Sequence, residues 1–306
     1  MNKIAIIETA PIPKNPIDAH VRNAIVLARE LPAILLSKRP SFKEHWNAVV
    51  KHIIISYGTL YVDKNIIDEF LNKHSKANLW FLSNEYNISP NSFVFRDREW
   101  NAITNYEREA SVFKKHKTLQ DFYTFDLNLL FYKKPNEITK KKYDLIYFGT
   151  WRPDRKDYFL KYLNKQCYIS TSKKNAKRFL HAGCEGKLIG KLNWQNGKET
   201  LNNFRYSIYL EDEFTHSNYN FLANRLYEAL YCNVITFFDI SCLNTLKKSG
   251  LTNYESFLVE DALELKHKIK AFNKDFEAHL REQKQWNKVF KEKRADLLND
   301  LRELLN

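Results

Sequence analysis

Residues 143–163 read YDLIYFGTWRPDRKDYFLKYL, and this segment has the pattern of a complete βα unit. The apolar run from Tyr143 to Phe148 predicts a buried strand, Gly149 begins a turn, and the stretch from Asp154 to Leu163 predicts a helix. A strand that passes through a short turn into a helix is the repeating element of parallel α/β sheets. The segment therefore predicts an α/β fold.

The same alternation of apolar runs and amphipathic stretches continues on both sides of this unit. A polar segment that contains proline, residues 133–142, separates two halves. Because 306 residues suffice for two cores, we predict two Rossmann-like, doubly wound domains that face a cleft, residues 1–138 and 139–306, with a C-terminal helix or helix pair over 276–305 that crosses back. The other predicted elements are strands at Lys3–Ile7, Ala33–Leu36, His52–Ser56, Asn78–Leu82, Tyr206–Leu210 and Val234–Phe238, helices at Ile17–Leu31, Ile66–His74, Phe221–Leu230 and Ala262–Ala271, and an element at Thr118–Phe125 that closes the first half.

Composition excludes several classes of protein. Hydrophobic residues make up 44% and charged residues 28% of the chain, which is typical of a globular protein. No apolar run approaches the roughly 18 residues that a membrane-spanning helix needs, and the apolar start is too short for a signal peptide. Four cysteines without a C-x-x-C pair predict reduced, buried side chains and no metal site. We expect a cytoplasmic monomer with no membrane partner.

The charge balance leaves two interpretations open. The chain has 49 lysines and arginines against 36 acidic residues, a net charge of +13. Such an excess favours a polyanionic partner such as nucleic acid. It is equally typical of a solvated, lysine-rich surface.

Arginines are the first candidates for binding phosphate groups. The chain has seven glycines and neither a G-x-G-x-x-G nor a Walker A loop. If the protein binds a diphosphate, arginines and helix N-termini must therefore hold it. Arg152 and Arg155 lie between the predicted strand that ends at Phe148 and the following helix. Two guanidinium groups there can neutralise a diphosphate leaving group. The alternative is a surface turn capped by Asp154.

A second candidate is the predicted helix that contains Arg225 and Glu228. These residues are three positions apart and are therefore neighbours on the helix surface. A carboxylate near the start of a helix can accept hydrogen bonds from both hydroxyl groups of a ribose. The alternative is an ion pair within the helix.

Acidic residues after two predicted strands are candidates for catalysis. Glu85 follows the strand that ends at Leu82, where a carboxylate in a cleft can act as a general base. Asp18 and His20 follow a proline-rich loop after the first strand and are weaker candidates.

These segments together resemble the DNA β-glucosyltransferases of T-even bacteriophages. Leu82-Ser83-Asn84-Glu85 corresponds to the segment with the family's catalytic aspartate, with glutamate in its place, and the start Lys3-Ile4-Ala5-Ile6-Ile7 is similar to the family's first strand. The segments that are similar to the family's nucleotide-binding parts are the loop of Gly149, Arg152 and Arg155, the loop Gly190-Lys191-Leu192, and the stretch from Asn218 through Asn220 and Arg225 to Glu228.

The resemblance implies a GT-B fold and an inverting transfer of a sugar from a UDP-sugar, UDP-glucose or UDP-arabinose, to 5-hydroxymethylcytosine in duplex DNA. It implies Glu85 as the base, with Asp18 as a second acid, and a base flipped out of the DNA stack. It leaves a role for Mg²⁺ or Mn²⁺ open. The nucleotide-sugar site it implies consists of Gly149, Arg152, Arg155, Gly190, Leu192, Asn220, Arg225 and Glu228. Candidates for contacts to DNA phosphates are Arg96, Arg98, Lys114, Lys115 and Lys117.

Two other functions fit the same residues. A GT-B enzyme that acts on a bacterial surface saccharide or lipid would use the same arginines and Glu228. A non-enzymatic nucleic-acid binder would account for the net charge of +13, but it gives no purpose to Arg152, Arg155 and Glu228.

Overall fold

The protein is described by a computed structural model. The described residues are 4–9, 19–56, 64–83, 98–104, 113–118, 141–192, 201–211, 216 and 222–306. By its internal contacts the chain divides into two compact units, Met1–Leu129 together with Lys293–Asn306, and Leu130–Glu292. The boundary predicted at residue 138 lies outside the described residues.

The first unit contains a six-stranded parallel sheet in the order β2-β1-β3-β4-β5-β6. The direction in which the sheet grows reverses between β1 and β3, which makes this pair the switch point of a doubly wound sheet. Its strands are β1 (Ile4–Ile7), β2 (Ile34–Leu36), β3 (His52–Ser56), β4 (Asn78–Ser83), β5 (Trp100–Thr104) and β6 (Phe113–Thr118). Its first helices are α1 (Ala19–Glu30), α2 (Arg39–Glu44) and α3 (Lys64–Lys73).

Alternate residues of these strands face opposite layers of helices. In β3, Ile53 and Ile55 pack with α2 and α3, whereas Ile54 packs with α1 on the other side. The apolar run of β3 is continuous because both faces of the strand are buried. Leu297 and Leu301 of the chain's last helix also belong to the layer of α1. The first core is therefore completed by the last residues of the sequence.

The second unit contains another six-stranded parallel sheet, in the order β9-β8-β7-β10-β11-β12. In chain order this is the 3-2-1-4-5-6 arrangement of the Rossmann fold. Its strands are β7 (Tyr143–Phe148), β8 (Cys167–Ser170), β9 (Lys187–Ile189), β10 (Phe204–Tyr209), β11 (Ile235–Asp239) and β12 (Leu258–Val259). Its helices are α4 (Lys156–Tyr162), α5 (Lys173–His181), α6 (Asn224–Tyr231), α7 (Leu243–Ser249), α8 (Ala262–Phe272) and α9 (Phe276–Lys284), and α10 (Trp286–Leu304) follows.

Two buried polar groups support β11. The Gln283 side chain accepts a hydrogen bond from the Thr236 backbone N–H at 2.7 Å and donates one to the Thr236 carbonyl at 2.8 Å. Because β12 pairs only with Phe238 and Asp239, this amide takes the place of a neighbouring strand along the first half of β11. The Asp239 carboxylate accepts hydrogen bonds from the Tyr162 hydroxyl at 2.6 Å and from Lys161 Nζ at 2.8 Å.

The structure confirms the prediction of two parallel α/β sheets. The helix predicted over 276–305 is a pair, α9 and α10. Residues 293–306 belong to the first unit, whereas the predicted second domain, 139–306, included the whole terminal helix. Strands β5 and β6 were not predicted, and the predicted element Thr118–Phe125 lies outside the described residues after Thr118.

Candidate functional site

The candidate site lies at the carboxyl edge of the second sheet, at its switch point. The sheet's order reverses between β7 and β10, and ligands of doubly wound sheets bind beyond the strand ends at this position. The loop of Arg152 and Arg155 follows β7, and Glu211 follows β10. Arg225 lies in the first turn of α6.

A buried carboxylate joins two of the predicted arginines. One oxygen of Glu211 forms an ion pair with Arg155, and the other pairs with Arg225 and accepts its hydrogen bond. Glu211 is 3% exposed and Arg155 is 7% exposed, so the cluster is almost fully desolvated. The structure thus brings Arg155 and Arg225 together, as the resemblance implied. Sequence reasoning missed Glu211, although a carboxylate directly after a buried strand was the signal that singled out Glu85.

Arg225 is fixed by several further contacts. Its Nη1 donates to the Tyr147 hydroxyl at 3.2 Å and its Nη2 to the Leu210 carbonyl at 3.3 Å. The guanidinium carbon lies 5.7 Å and 5.5 Å from the ring centres of Tyr147 and Tyr209, within cation–π range. Its buried Nε has no hydrogen-bond partner within the described part of the chain. A buried donor of this kind fits an anionic ligand that supplies the missing acceptor.

Gly149 allows this arginine to approach the strand. A Cβ atom at position 149 would lie 2.8 Å from Arg225 Nη1 and 2.8 Å from the Tyr147 hydroxyl oxygen. Real Cβ atoms do not approach other atoms so closely, so a side chain there is incompatible with the observed guanidinium position. The predicted glycine therefore serves close packing of Arg225 against the end of β7.

Arg152 is placed differently from Arg155. It precedes the short 3-10 helix Pro153–Arg155, and its side chain is exposed. It forms no ion pair among the described residues. Arg152 is thus an exposed cation in the loop that contains the buried Arg155.

The loop Gly190-Lys191-Leu192 is attached to the end of β8 by one side chain. The Ser170 hydroxyl donates to the Gly190 carbonyl at 3.0 Å and accepts from the Leu192 N–H at 3.0 Å. Apart from its chain neighbours, no atom of the described residues lies within 4 Å of the position of a Cβ on Gly190, so the described structure leaves the space beside this backbone open. The open space fits the resemblance, which implies a base-binding loop here.

Glu228 lies one turn after Arg225 in α6 and is half-buried. The helix begins after Ala223, whose N–H donates to the Tyr209 hydroxyl at 2.7 Å. Burial raises the pKa of Tyr209, which keeps that hydroxyl neutral. The Asn224 side-chain oxygen is buried without a partner among the described residues. Asn220, the remaining residue of this group, lies outside them.

The candidate bases Glu85 and Asp18 both lie outside the described residues. The first sheet nevertheless has a carboxylate at its own switch point. Glu8 follows β1, is 2% exposed, and accepts a hydrogen bond from the hydroxyl of Ser56 at the end of β3. Glu8 directly follows the predicted strand Lys3–Ile7, but the sequence pattern did not single it out as a candidate.

The cations predicted to contact DNA are scattered and partly paired. Arg98 donates to Asp68 at 3.0 Å and to Asn72 at 2.9 Å, and Lys114 pairs with Glu99 at 2.8 Å. Arg98 and Lys114 lie at the amino ends of β5 and β6, on the edge opposite to the strand ends that precede Glu85. Lys115 is exposed, Lys117 lies in β6, and Arg96 is outside the described residues.

The cysteines are free and buried, as predicted. Burial raises the pKa of Cys167 to about 12 and that of Cys184 to about 11, which makes both thiols poor nucleophiles. Among the described residues, no group of three or more His, Cys, Asp or Glu side chains could hold a metal ion. None of the described helices is long and apolar enough to span a bilayer.

Comparison with solved structures identifies similar folds over the whole chain. A mutant of T4 phage β-glucosyltransferase in complex with UDP-glucose has a TM-score of 0.70 at 14% identity, with 99% of both chains covered. The same phage enzyme with UDP and Mn²⁺ gives 0.64 at 13% identity, again over 99% of both chains. HepE from Anabaena, in complex with UDP and glucose, gives 0.58 at 12% identity over 100% of this chain and 99% of HepE.

No protein-family model matches the chain, and no curated protein sequence is similar to it. The three structural likenesses establish the fold, which is the two-sheet GT-B architecture.

Proposed function

We propose that this protein is a UDP-sugar-dependent glycosyltransferase whose donor diphosphate binds at Arg155 and Arg225. The observation that carries the proposal is the meeting of these two arginines at the switch point of the second sheet. A paired, nearly buried set of guanidinium groups is the arrangement that recognises phosphate oxygens with defined geometry.

The solved structures support the same donor. T4 phage β-glucosyltransferase has been seen with UDP-glucose and with UDP and Mn²⁺, and HepE with UDP-glucose. This chain has the fold of both proteins over its full length. The same fold, together with the two arginines at the switch point of the second sheet, favours a UDP-sugar donor, and the need for a divalent cation is decided by assay with EDTA.

In this proposal different residues bind the diphosphate, the ribose and the uracil of the donor. Arg155 and Arg225 neutralise the diphosphate as it leaves, with Arg152 as a third, exposed cation in the same loop. Glu228 binds the ribose hydroxyl groups, and the Gly190–Leu192 backbone lies against the uracil. Positioning and charge stabilisation then lower the barrier to departure of UDP.

For the acceptor we propose the hydroxymethyl group of 5-hydroxymethylcytosine in duplex DNA. Glu85 removes the hydroxyl proton, the oxygen attacks the anomeric carbon opposite the diphosphate, and UDP leaves with inversion. The excess of positive charge, +13 over the chain, suits a polyanionic acceptor. Flipping the base out of the stack costs a few kcal/mol, which contacts to the DNA must offset.

The test is mass spectrometry of nucleosides after incubation with hydroxymethylcytosine duplex DNA and either UDP-glucose or UDP-arabinose, with Mn²⁺ or with EDTA. We expect a hexose or pentose mass on the modified nucleoside, lost in Glu85→Gln and in Arg225→Gln. Arg178→Gln, which changes an exposed arginine of α5, serves as the matched control and should retain activity. If neither UDP nor a UDP-sugar binds the wild-type protein, the glycosyltransferase proposal is wrong.

The likeness to HepE favours a second candidate acceptor, a saccharide. HepE shares the fold at a TM-score of 0.58 and contains UDP and glucose, so the fold alone does not select DNA. Release of UDP without any mass added to DNA, abolished in Arg225→Gln, would support this candidate. DNA binding that does not weaken as salt rises would also count against a DNA acceptor.

A further inference from the structure

The inference concerns Glu211, which no part of the proposed mechanism uses. Its carboxylate is 3% exposed and each of its oxygens pairs with a different arginine of the candidate donor site. Orienting two arginines is one role for such a group. A fixed negative charge next to the diphosphate has a second consequence, because it repels ligands according to their charge.

The substrate and the product of the proposed reaction differ in charge at this position. In a UDP-sugar each phosphate has one ester bond and shares the anhydride bond, so the diphosphate carries two negative charges. In UDP the terminal phosphate has lost the sugar and gains a further ionisation, whose pKa is about 6. At neutral pH the product therefore brings additional negative charge to Arg155 and Arg225, which already form ion pairs with Glu211.

We propose that Glu211 sets the preference of this site between donor and product, by weakening the binding of UDP more than that of the UDP-sugar. The proposal rests on the proposed donor site. Since the carboxylate is desolvated, its repulsion of a nearby phosphate is screened less than it would be at the surface. The repulsion is stronger for UDP than for the UDP-sugar because UDP carries the additional negative charge. Glu211 therefore promotes release of the product.

A purely orienting role predicts a different result. If Glu211 only holds Arg155 and Arg225 in place, its loss disturbs both guanidinium groups and weakens UDP and UDP-sugar alike. A charge effect instead changes the ratio of the two affinities. The sign and size of that ratio therefore separate the two roles.

The experiment is calorimetric titration of UDP and of UDP-glucose into the full chain at neutral pH, in EDTA and without acceptor. Glu211→Gln keeps one acceptor oxygen but removes the charge. We expect its preference for UDP over UDP-glucose to rise by about tenfold relative to wild type, equivalent to about 1.4 kcal/mol. The inhibition constant of UDP in the transfer reaction should fall by a similar factor.

Two further variants complete the test. Glu211→Asp retains the charge and should keep the wild-type preference even where both affinities decline. Glu185→Gln removes an exposed carboxylate of the same unit and should leave both affinities unchanged.

An equal loss of both affinities in Glu211→Gln, or an altered preference in Glu211→Asp, would overturn the inference. Wild-type protein that binds neither ligand would remove the donor site itself, and the inference with it. Wild-type protein that binds both with no shift in Glu211→Gln would refute only the role of Glu211.

Discussion

Replacement of Gly149 by alanine is the sharpest steric test of the candidate donor site. The new Cβ would lie 2.8 Å from Arg225 Nη1, against an ordinary contact of 3.4 Å or more. The hydroxyl oxygen of the fully buried Tyr147 is also 2.8 Å away, so the methyl group is crowded on that side as well and cannot move away from the arginine. The guanidinium group must therefore move by about 0.6 Å or more, the difference between those two distances.

The expected cost is that of one charge-assisted hydrogen bond to the donor diphosphate, about 1.5–3 kcal/mol. Titration of UDP-glucose should then show an affinity lower by roughly 10- to 150-fold. Thermal unfolding should also show a loss of about 1–3 kcal/mol, since the new methyl group overpacks the buried Tyr147 ring as well as displacing the guanidinium group.

A double-mutant cycle shows whether the effect passes through Arg225. In the Arg225→Gln background the guanidinium is absent, so Gly149→Ala should cost little further affinity. If the alanine has the same effect in both backgrounds, or none in either, the steric explanation fails.

Three further predictions concern stability. Asp239→Asn should destabilise the protein at neutral pH. Burial alone would raise the pKa of Asp239, but the hydrogen bonds from Lys161, Ser241 and Tyr162 outweigh this effect and hold the pKa below its usual range. A carboxylate whose pKa is lower in the folded than in the unfolded state stabilises the fold at pH values above its unfolded-state pKa. This stabilisation is lost as the pH falls through the folded-state pKa, so the difference in melting temperature between wild type and variant should narrow in acid. Gln283→Leu leaves the Thr236 N–H and carbonyl unpaired, and urea unfolding should show a loss of about 2–5 kcal/mol; an unchanged midpoint would mean that another group replaces the amide. Burial lowers the pKa of Lys141 to about 8 from 10.5, so wild-type stability should rise between these pH values by up to about 3 kcal/mol, and Lys141→Met should show a flatter profile there.

The central strands could be predicted from the sequence because their own residues specify them. Strands β3 and β7 are short runs of apolar residues buried on both faces, and the structure has them at the predicted bounds, His52–Ser56 and Tyr143–Phe148. Such runs have no alternative to the centre of a parallel sheet. The helix that begins after the loop of Arg152 and Arg155 followed from the same βα pattern.

The outer strands of the first sheet could not be predicted in the same way. Strand β6, Phe113–Thr118, reads FKKHKT, and β5, Trp100–Thr104, reads WNAIT. Their polar residues do not distinguish a strand from a loop, and pairing with β4 determines their conformation. Tertiary context outweighs local propensity in such segments.

The candidate site also contains residues that could be predicted from local sequence and an arrangement that could not. Arg155 and Arg225 could be predicted because each lies in a local pattern, a strand end or a helix start. Glu211 also follows a buried strand, but its pairing with both arginines could not be predicted, because these partners are 56 positions before it and 14 positions after it. Spacing along the chain contains no sign of such a meeting, which depends on β7 and β10 being neighbours in the sheet.

The packing of α10 has a consequence for the order of events during synthesis. Leu297, Leu298 and Leu301 of α10, with Leu305 just after it, share with α1 the covering of one face of the first sheet, whose strands are all made before residue 119. On the ribosome that part of the face stays without these side chains until translation has passed Leu305, long after β6 has ended at Thr118. The strands of the first sheet are therefore complete well before all of its covering layer has been made. A growing chain must keep this apolar surface from aggregating throughout that interval, and a nonsense mutation before Leu297 would leave the first sheet partly uncovered.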